Sequence, residues 1–226
     1  MKIRNDFVTN SSSSSYIVSF DKNIVPDNFI EKDIEKVRKY IDSLNMDTYE
    51  VGRIDETEFG WHWEIFRSFF SKVNYLCLQI IINSGSEDRD WGPEDLDKKV
   101  KKLKQLLEEI LEEELGLKLN YEYATAAVQE WEMTIDHQSS FCENDVDPVF
   151  LDKESLKRFL FSPYMYIVQG NDNSTMPESI AKNAFAIYKE ALKKQNIEDV
   201  TYEDFLENAN IFREAHDEDE DNDNMW

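Results

Sequence analysis

Apolar and polar positions along the chain alternate between short strand-like runs and longer helical stripes. Tyr16-Ile17-Val18-Ser19-Phe20 is apolar and partly β-branched, which predicts a strand. The five serines before it, Ser11 to Ser15, read as a loop. Ile30, Ile34, Val37, Tyr40, Ile41 and Leu44 keep helical spacing and predict a helix from about Phe29 to Ser43, with Asn28 as its cap. Thr48 to Ile54 reads as a strand. The aromatic stretch from Glu58 or Gly60 to Val73 reads as a helix, because its later members step by three and four. Tyr75-Leu76-Cys77-Leu78-Gln79-Ile80-Ile81-Ile82 is a continuous apolar run and predicts a central strand buried on both faces.

Beyond the turn-rich stretch Ser84 to Pro93, a stripe of Leu96, Val100, Leu103, Leu107 and Ile110 predicts a long helix. Pro93 suits its first turn and Gly116 its end. Leu117 to Tyr123 and Glu130 to Asp136 read as two strands, with an ambiguous Ala124 to Val128 between them. Lys153 to Phe161 reads as a short helix capped by Asp152, and Tyr164 to Gln169 as a strand. A helix follows Pro177 to about Lys194. Thr201 with Asp204 forms a capping-box pattern before a last helix through Phe212. The expected fold is α+β: a mixed β-sheet of about five to six strands flanked by helices, with a C-terminal helical segment. Residues 1–213 are expected to form a single domain, and 214–226 an acidic, flexible tail.

Composition narrows the class. The chain has 226 residues, 41% hydrophobic and 13% aromatic, enough for a sizeable core. Lys+Arg number 25 and Asp+Glu 48, a formal net charge of −23. The segment Glu214 to Trp226 holds seven acids and no base, so residues 1–213 keep 41 acids against the same 25 bases. Acidity on this scale opposes direct, salt-driven binding to nucleic acid, which needs Lys and Arg at the phosphates. No apolar stretch is long enough to span a membrane. No apolar run follows the charged start, so no secretory signal is read there. Two cysteines, Cys77 and Cys142, exclude a disulfide scaffold. A cytoplasmic location is expected.

Residues 4 to 20 carry a resemblance. Arg4-Asn5-Asp6-Phe7-Val8-Thr9-Asn10, followed by Ser11 to Ser15 and the aromatic Tyr16, resembles an N-terminal signature. A loose group of uncharacterised proteins of Firmicutes-type bacteria, phages and mobile elements shares it. The resemblance implies a bacterial or phage origin and assigns no activity and no catalytic residue. Physically, the serine run reads as a loop leading into the strand. Two other uses fit its hydroxyls and its neighbour: phosphorylation, or a partner adding a strand beside Tyr16 to Phe20.

Nucleotide-binding glycine loops, H-E-x-x-H, C-x-x-C and G-x-S-x-G are all missing from the sequence. His62, between Trp61 and Trp63, reads as the edge of an aromatic core. His216 lies among the tail acids. Asp136-His137-Gln138-Ser139-Ser140 with Cys142 is a polar loop. As an enzymatic alternative it offers a base and a nucleophile, but adjacent strand residues point to opposite faces. Ser86, Asp88, Asp90 and Asp97 faintly echo a loop for Ca²⁺ or Mg²⁺, yet Trp91 stands where the turn requires glycine. No cofactor is expected, with a hard cation as the alternative.

The long helix carries Lys98, Lys99, Lys101, Lys102 and Lys104 before Glu108, Glu109, Glu112, Glu113 and Glu114, against the preference of the helix dipole. That order leaves two readings: solvated charge blocks, or lysines meeting acid from the tail or a partner. The leading functional expectation is a non-enzymatic acidic interaction protein. It would act as an inhibitor or modulator docking on a basic, nucleic-acid-handling protein partner. Glu87, Asp88, Asp90, Asp217, Glu218, Asp219, Glu220 and Asp221 would carry the charge, and Trp91 and Trp226 would anchor. The alternatives are a metal-dependent enzyme or binding module on the 86–97 or 136–142 loop, and a structural protein whose charge serves solubility.

Overall fold

Ser68 stands in extended backbone and its hydroxyl accepts from the Ser71 amide at 3.0 Å. Serine suits this place because its oxygen satisfies an orphan amide of the first helical turn. A helix, α2, runs from Phe69 to Asn83, and every residue from Phe70 to Ile80 on it is buried. A helix that is apolar all round lies inside a protein. The expected central strand over Tyr75 to Ile82 is therefore corrected to an interior helix. A continuous apolar run looks the same in a buried strand and in a buried helix segment, so periodicity alone misassigns it. The expected helix from Glu58 or Gly60 is corrected too. Glu64–Phe66 is a strand, and the helix begins only after the Ser68 cap.

The computed structural model describes residues 2–5, 13–19, 25–53, 59, 62–84, 95–130, 133, 135, 146–171, 176–197 and 199–208. Strands β1 (Lys2–Asn5) and β2 (Ser13–Ser19) open the chain. Helix α1 (Asp27–Ser43), β3 (Thr48–Glu50) and β4 (Glu64–Phe66) precede α2. Then come α3 (Leu96–Leu115), β5 (Lys118–Asn120), α4 (Glu122–Gln129), a 3-10 turn (Pro148–Leu151) and α5 (Lys153–Phe161). Strand β6 (Tyr166–Asn171), α6 (Glu178–Lys193) and α7 (Tyr202–Asn208) complete the described elements.

The class is α+β, as expected, but one mixed sheet is replaced by two small ones. The larger is antiparallel, in the order β1-β2-β6-β4. The smaller pairs β3 and β5 in parallel. With Tyr75 to Ile82 helical, no central strand joins the two. The strand expected over Leu117 to Tyr123 stops at Asn120, whose side-chain oxygen accepts from the Glu122 amide at 3.0 Å and turns the chain into α4. Of the strand expected at Glu130 to Asp136, Glu130, Met133 and Ile135 are described, and all three lie outside strands and helices. The loop expected over the serines is corrected for Ser13 to Ser15, which belong to β2 opposite Asn171, Gly170 and Gln169. Tyr16 to Val18 have a strand on each side, so no free edge remains there for a partner's strand.

Local chemistry sets most helix ends. Pro26, not Asn28, precedes α1. Gly116 closes α3 at φ 64°, a left-handed conformation that glycine adopts without a side-chain clash. The Asp152 carboxylate accepts from the Ser155 amide at 2.9 Å, as expected for its cap, and this holds its pKa below the usual range. At α7 the box is reciprocal. The Asp204 amide donates to Thr201 Oγ1 at 3.1 Å, and the Thr201 amide donates to Asp204 Oδ2 at 3.0 Å.

The core gathers around α2. Leu103, Leu107 and Ile110 of α3, Leu156, Phe159 and Leu160 of α5, and Val18, Ile167 and Val168 of the larger sheet are buried with it. Burial of each such side chain contributes about 1.5–3 kcal/mol. Gly170 on β6 lies under the Trp63 ring, where a Cβ would stand 2.2 Å from Trp63 Cδ2. Gly170→Ala is expected to lower unfolding free energy by about 1–3 kcal/mol through overpacking. Urea denaturation checks this. Trp63→Leu in the same chain should restore part of the loss, and equal losses with and without Trp63 would refute the overpacking.

Candidate functional site

The charge conflict on α3 is resolved by its neighbours. At the C-terminal end, Arg38 of α1 donates through Nε and Nη2 to the Glu114 carbonyl at 2.9 and 2.7 Å. A cation is favoured there, where the last carbonyls lack helical donors. Lys153 of α5 reaches Glu109 at 2.5 Å and Glu113 at 2.9 Å, and Lys157 pairs with Glu114. The two carboxylates hold the Lys153 pKa above its ordinary value, and Lys153 holds Glu113 below its own. At the other end Lys99 pairs with Asp95 at 2.9 Å and Lys101 with Asp97 at 2.5 Å, the acid coming first in each pair. That order agrees with the helix dipole. Single exposed pairs contribute little; together these tie α1, α3 and α5.

The interior holds polar groups that the sequence reading passed over. Lys72 is fully buried on α2, and its Nζ donates to the Phe159 and Ser162 carbonyls at 2.8 and 2.6 Å, at the end of α5. Burial above all, with Arg67 adding to it and Asp33 opposing, pushes its pKa well below the lysine range. A neutral amine still has two N–H donors, one for each carbonyl. Asn74 Oδ1, two residues further along α2, accepts from the Tyr49 hydroxyl at 2.8 Å and the Gly52 amide at 3.1 Å, fixing the turn after β3. Arg158 of α5 is buried and bridges Asp27 and the Val25 carbonyl. The signal for Lys72 and Asn74 was present: two strongly polar residues immediately before the most apolar run of the chain.

These groups hold elements together and offer little reactive chemistry. Lys72 has no face open to a substrate. Cys77 is buried, and desolvation raises its thiol pKa, which disfavours the reactive thiolate. Tyr164, buried beside Glu190 with its hydroxyl 3.2 Å from Oε1, is pushed up to about 12. His62 is exposed, and the neighbouring Trp63 packs partly buried against the core.

The residues chosen from the sequence fall mostly elsewhere. Glu87, Asp88, Asp90, Trp91, Asp217, Glu218, Asp219, Glu220, Asp221 and Trp226 lie outside the described residues, as do Ser86 and the Asp136–Cys142 loop. Asp97 is described and pairs with Lys101. Among the described residues no group of three or more His, Cys, Asp or Glu is placed to hold a metal ion, and no helix is long and apolar enough to cross a membrane.

The structure sorts the charge. The described residues hold 26 acids and 22 bases, while the remaining 66 residues hold 22 acids and three bases. The acidity of residues 1–213 is thus uneven: the described framework is nearly balanced, and 54–58, 85–94 and 136–145 are acid-rich. No family model matches the chain, and no curated protein or solved structure matches it either.

Two variants test these assignments. Arg38→Ala should cost about 1 kcal/mol in chemical denaturation, and Arg38→Lys should recover only part, since an ammonium lacks the planar fork. Lys72 binds its proton more weakly folded than unfolded, so stability should rise with pH below the ordinary lysine value near 10.4. Lys72→Met should lack this rise. Denaturation from about pH 7 to 9.5 measures it, and identical slopes for the two proteins would remove the claim.

Proposed function

We propose that this protein is a non-enzymatic interaction module whose acid-rich segments dock on a basic protein partner, of the kind that handles nucleic acid. The observation that carries this reading is the partition of charge. The described residues hold 26 acids and 22 bases, some of them joined in internal pairs, while the remaining residues hold 22 acids and three bases. Charge used for solubility alone needs no such segregation. A concentrated negative field speeds encounter with a positively charged surface and selects against acidic ones. Trp91 and Trp226 each adjoin such a segment and would supply anchoring area that charge cannot. In this reading the protein competes with nucleic acid for a cationic surface, which makes it an inhibitor or modulator.

The test is direct binding of the full chain to a fluorescently labelled Arg/Lys-rich peptide, followed by anisotropy. Affinity should fall at least roughly tenfold between about 50 and 500 mM NaCl. A variant with Asp217, Glu218, Asp219, Glu220 and Asp221 converted to their amides should bind several-fold more weakly. Affinity indifferent to both changes would overturn the reading.

A further inference from the structure

Helix α6 ends in a cationic turn that the described fold leaves without acid. Lys189, Lys193 and Lys194 are exposed, and none forms an ion pair among the described residues. Lys189 lies 4.6 Å above the Phe185 ring and Lys194 4.7 Å above the Tyr164 ring. These ring faces hold the stems while the ammonium groups stay in water. Glu190, the carboxylate within this turn, faces the Tyr164 hydroxyl at 3.2 Å and Arg67 at 3.6 Å. On the other helices Lys36, Lys39, Lys99, Lys101, Lys153 and Lys157 stand within 3 Å of a carboxylate, while Lys32, Lys98 and Lys102 are exposed without an ion pair among the described residues.

Helix α7 packs along α6. Tyr202 packs against Phe185 at 5.2 Å between ring centres. Phe205, one turn later, packs against Phe185 at 5.5 Å and Tyr188 at 5.6 Å. Helix α7 therefore advances along α6 toward its C-terminal turn. Five residues, 209–213, separate Asn208 from Glu214, a span of at most roughly 22 Å. The next stretch, 214–223, carries seven acids and no base.

We propose that the acidic segment 214–223 docks in cis on the Lys189–Lys193–Lys194 turn of α6 and shields that acid from a partner. As a brake on docking, this rests on the function proposed above; the contact itself needs no partner. Exposed ion pairs are weak singly. The covalent tether supplies an effective concentration in the millimolar range, which lets several weak pairs act together. The contact is salt-sensitive for the same reason, since screening shortens the reach of each charge.

Zero-length carbodiimide cross-linking of the full chain tests the contact without any ligand. Peptide mapping of the product that migrates as one chain should find Lys189, Lys193 or Lys194 joined to carboxylates of 214–223. The yield should fall several-fold at about 1 M NaCl, where the screening length is about 3 Å. Cross-links from this segment chiefly to Lys98 or Lys102 of α3, or none to any lysine, would overturn the proposal. The paired variant Lys189→Gln/Lys193→Gln removes two exposed charges and leaves Lys194 on Tyr164. It should raise affinity for the Arg/Lys-rich peptide several-fold over Lys98→Gln/Lys102→Gln, which changes net charge equally. Equal affinities of the two variants would count against the brake. No peptide binding by any form would defeat the docking function while leaving the cross-links to decide the contact.

Discussion

The fold depends on taking one helix, α2, wholly out of water. Its apolar side chains supply the common surface on which α3, α4 and α5 close. Such a helix carries a cost wherever a polar group rides on it, and five buried ones do: Ser71, Lys72, Asn74, Gln79 and Asn83. Lys72 and Asn74 are buried, yet each is satisfied by backbone groups of another element: Lys72 by the end of α5, Asn74 by the turn after β3. A buried polar side chain with its partners in place specifies position, because any shift leaves it unpaired. Apolar burial supplies the driving force here, and these two side chains set the register of what surrounds it.

Charge is organised by the same separation of tasks. Around α3, Asp95, Asp97, Glu108, Glu109, Glu113 and Glu114 each have a cation from the same helix or from α1 and α5, and the fork of Arg38 closes the helix end. Since isolated surface pairs contribute little, the value of this network lies in joining three helices where the dipole would otherwise oppose the glutamates. The framework that results has little net field of its own. Most of the chain's excess of acid lies outside the described residues, which hold 26 acids and 22 bases. The three lysines ending α6, Lys189, Lys193 and Lys194, are exposed and form no ion pair among the described residues.

Helix boundaries were legible where a local device marks them. Asp152 before α5, Gly116 after α3 and the Thr201–Asp204 box before α7 each act within a few residues, so their meaning does not depend on the rest of the fold. Strand against helix was not legible in Tyr75 to Ile82, because total burial erases the periodicity that separates the two. The serine run failed for a related reason: Ser13 to Ser15 have no strand-like character of their own, and β6 pairing holds them. The acidic stretches were legible as composition, but which of the 48 acids are neutralised was not.

The sequence by itself determined the α+β class, the extent of α1, α3, α5 and α6 to within a few residues, and the excess of acid over base. All of these follow from spacing, capping and counting along one dimension. Tertiary structure alone decided that the most apolar segment is an interior helix, that two small sheets replace one, and that Arg38, Lys153 and Lys157 neutralise the end of α3. The physical reason is distance along the chain. Arg38 lies 76 residues from Glu114, and Lys72 lies 87 and 90 from its acceptors. Only packing the apolar faces together brings such groups within hydrogen-bonding range.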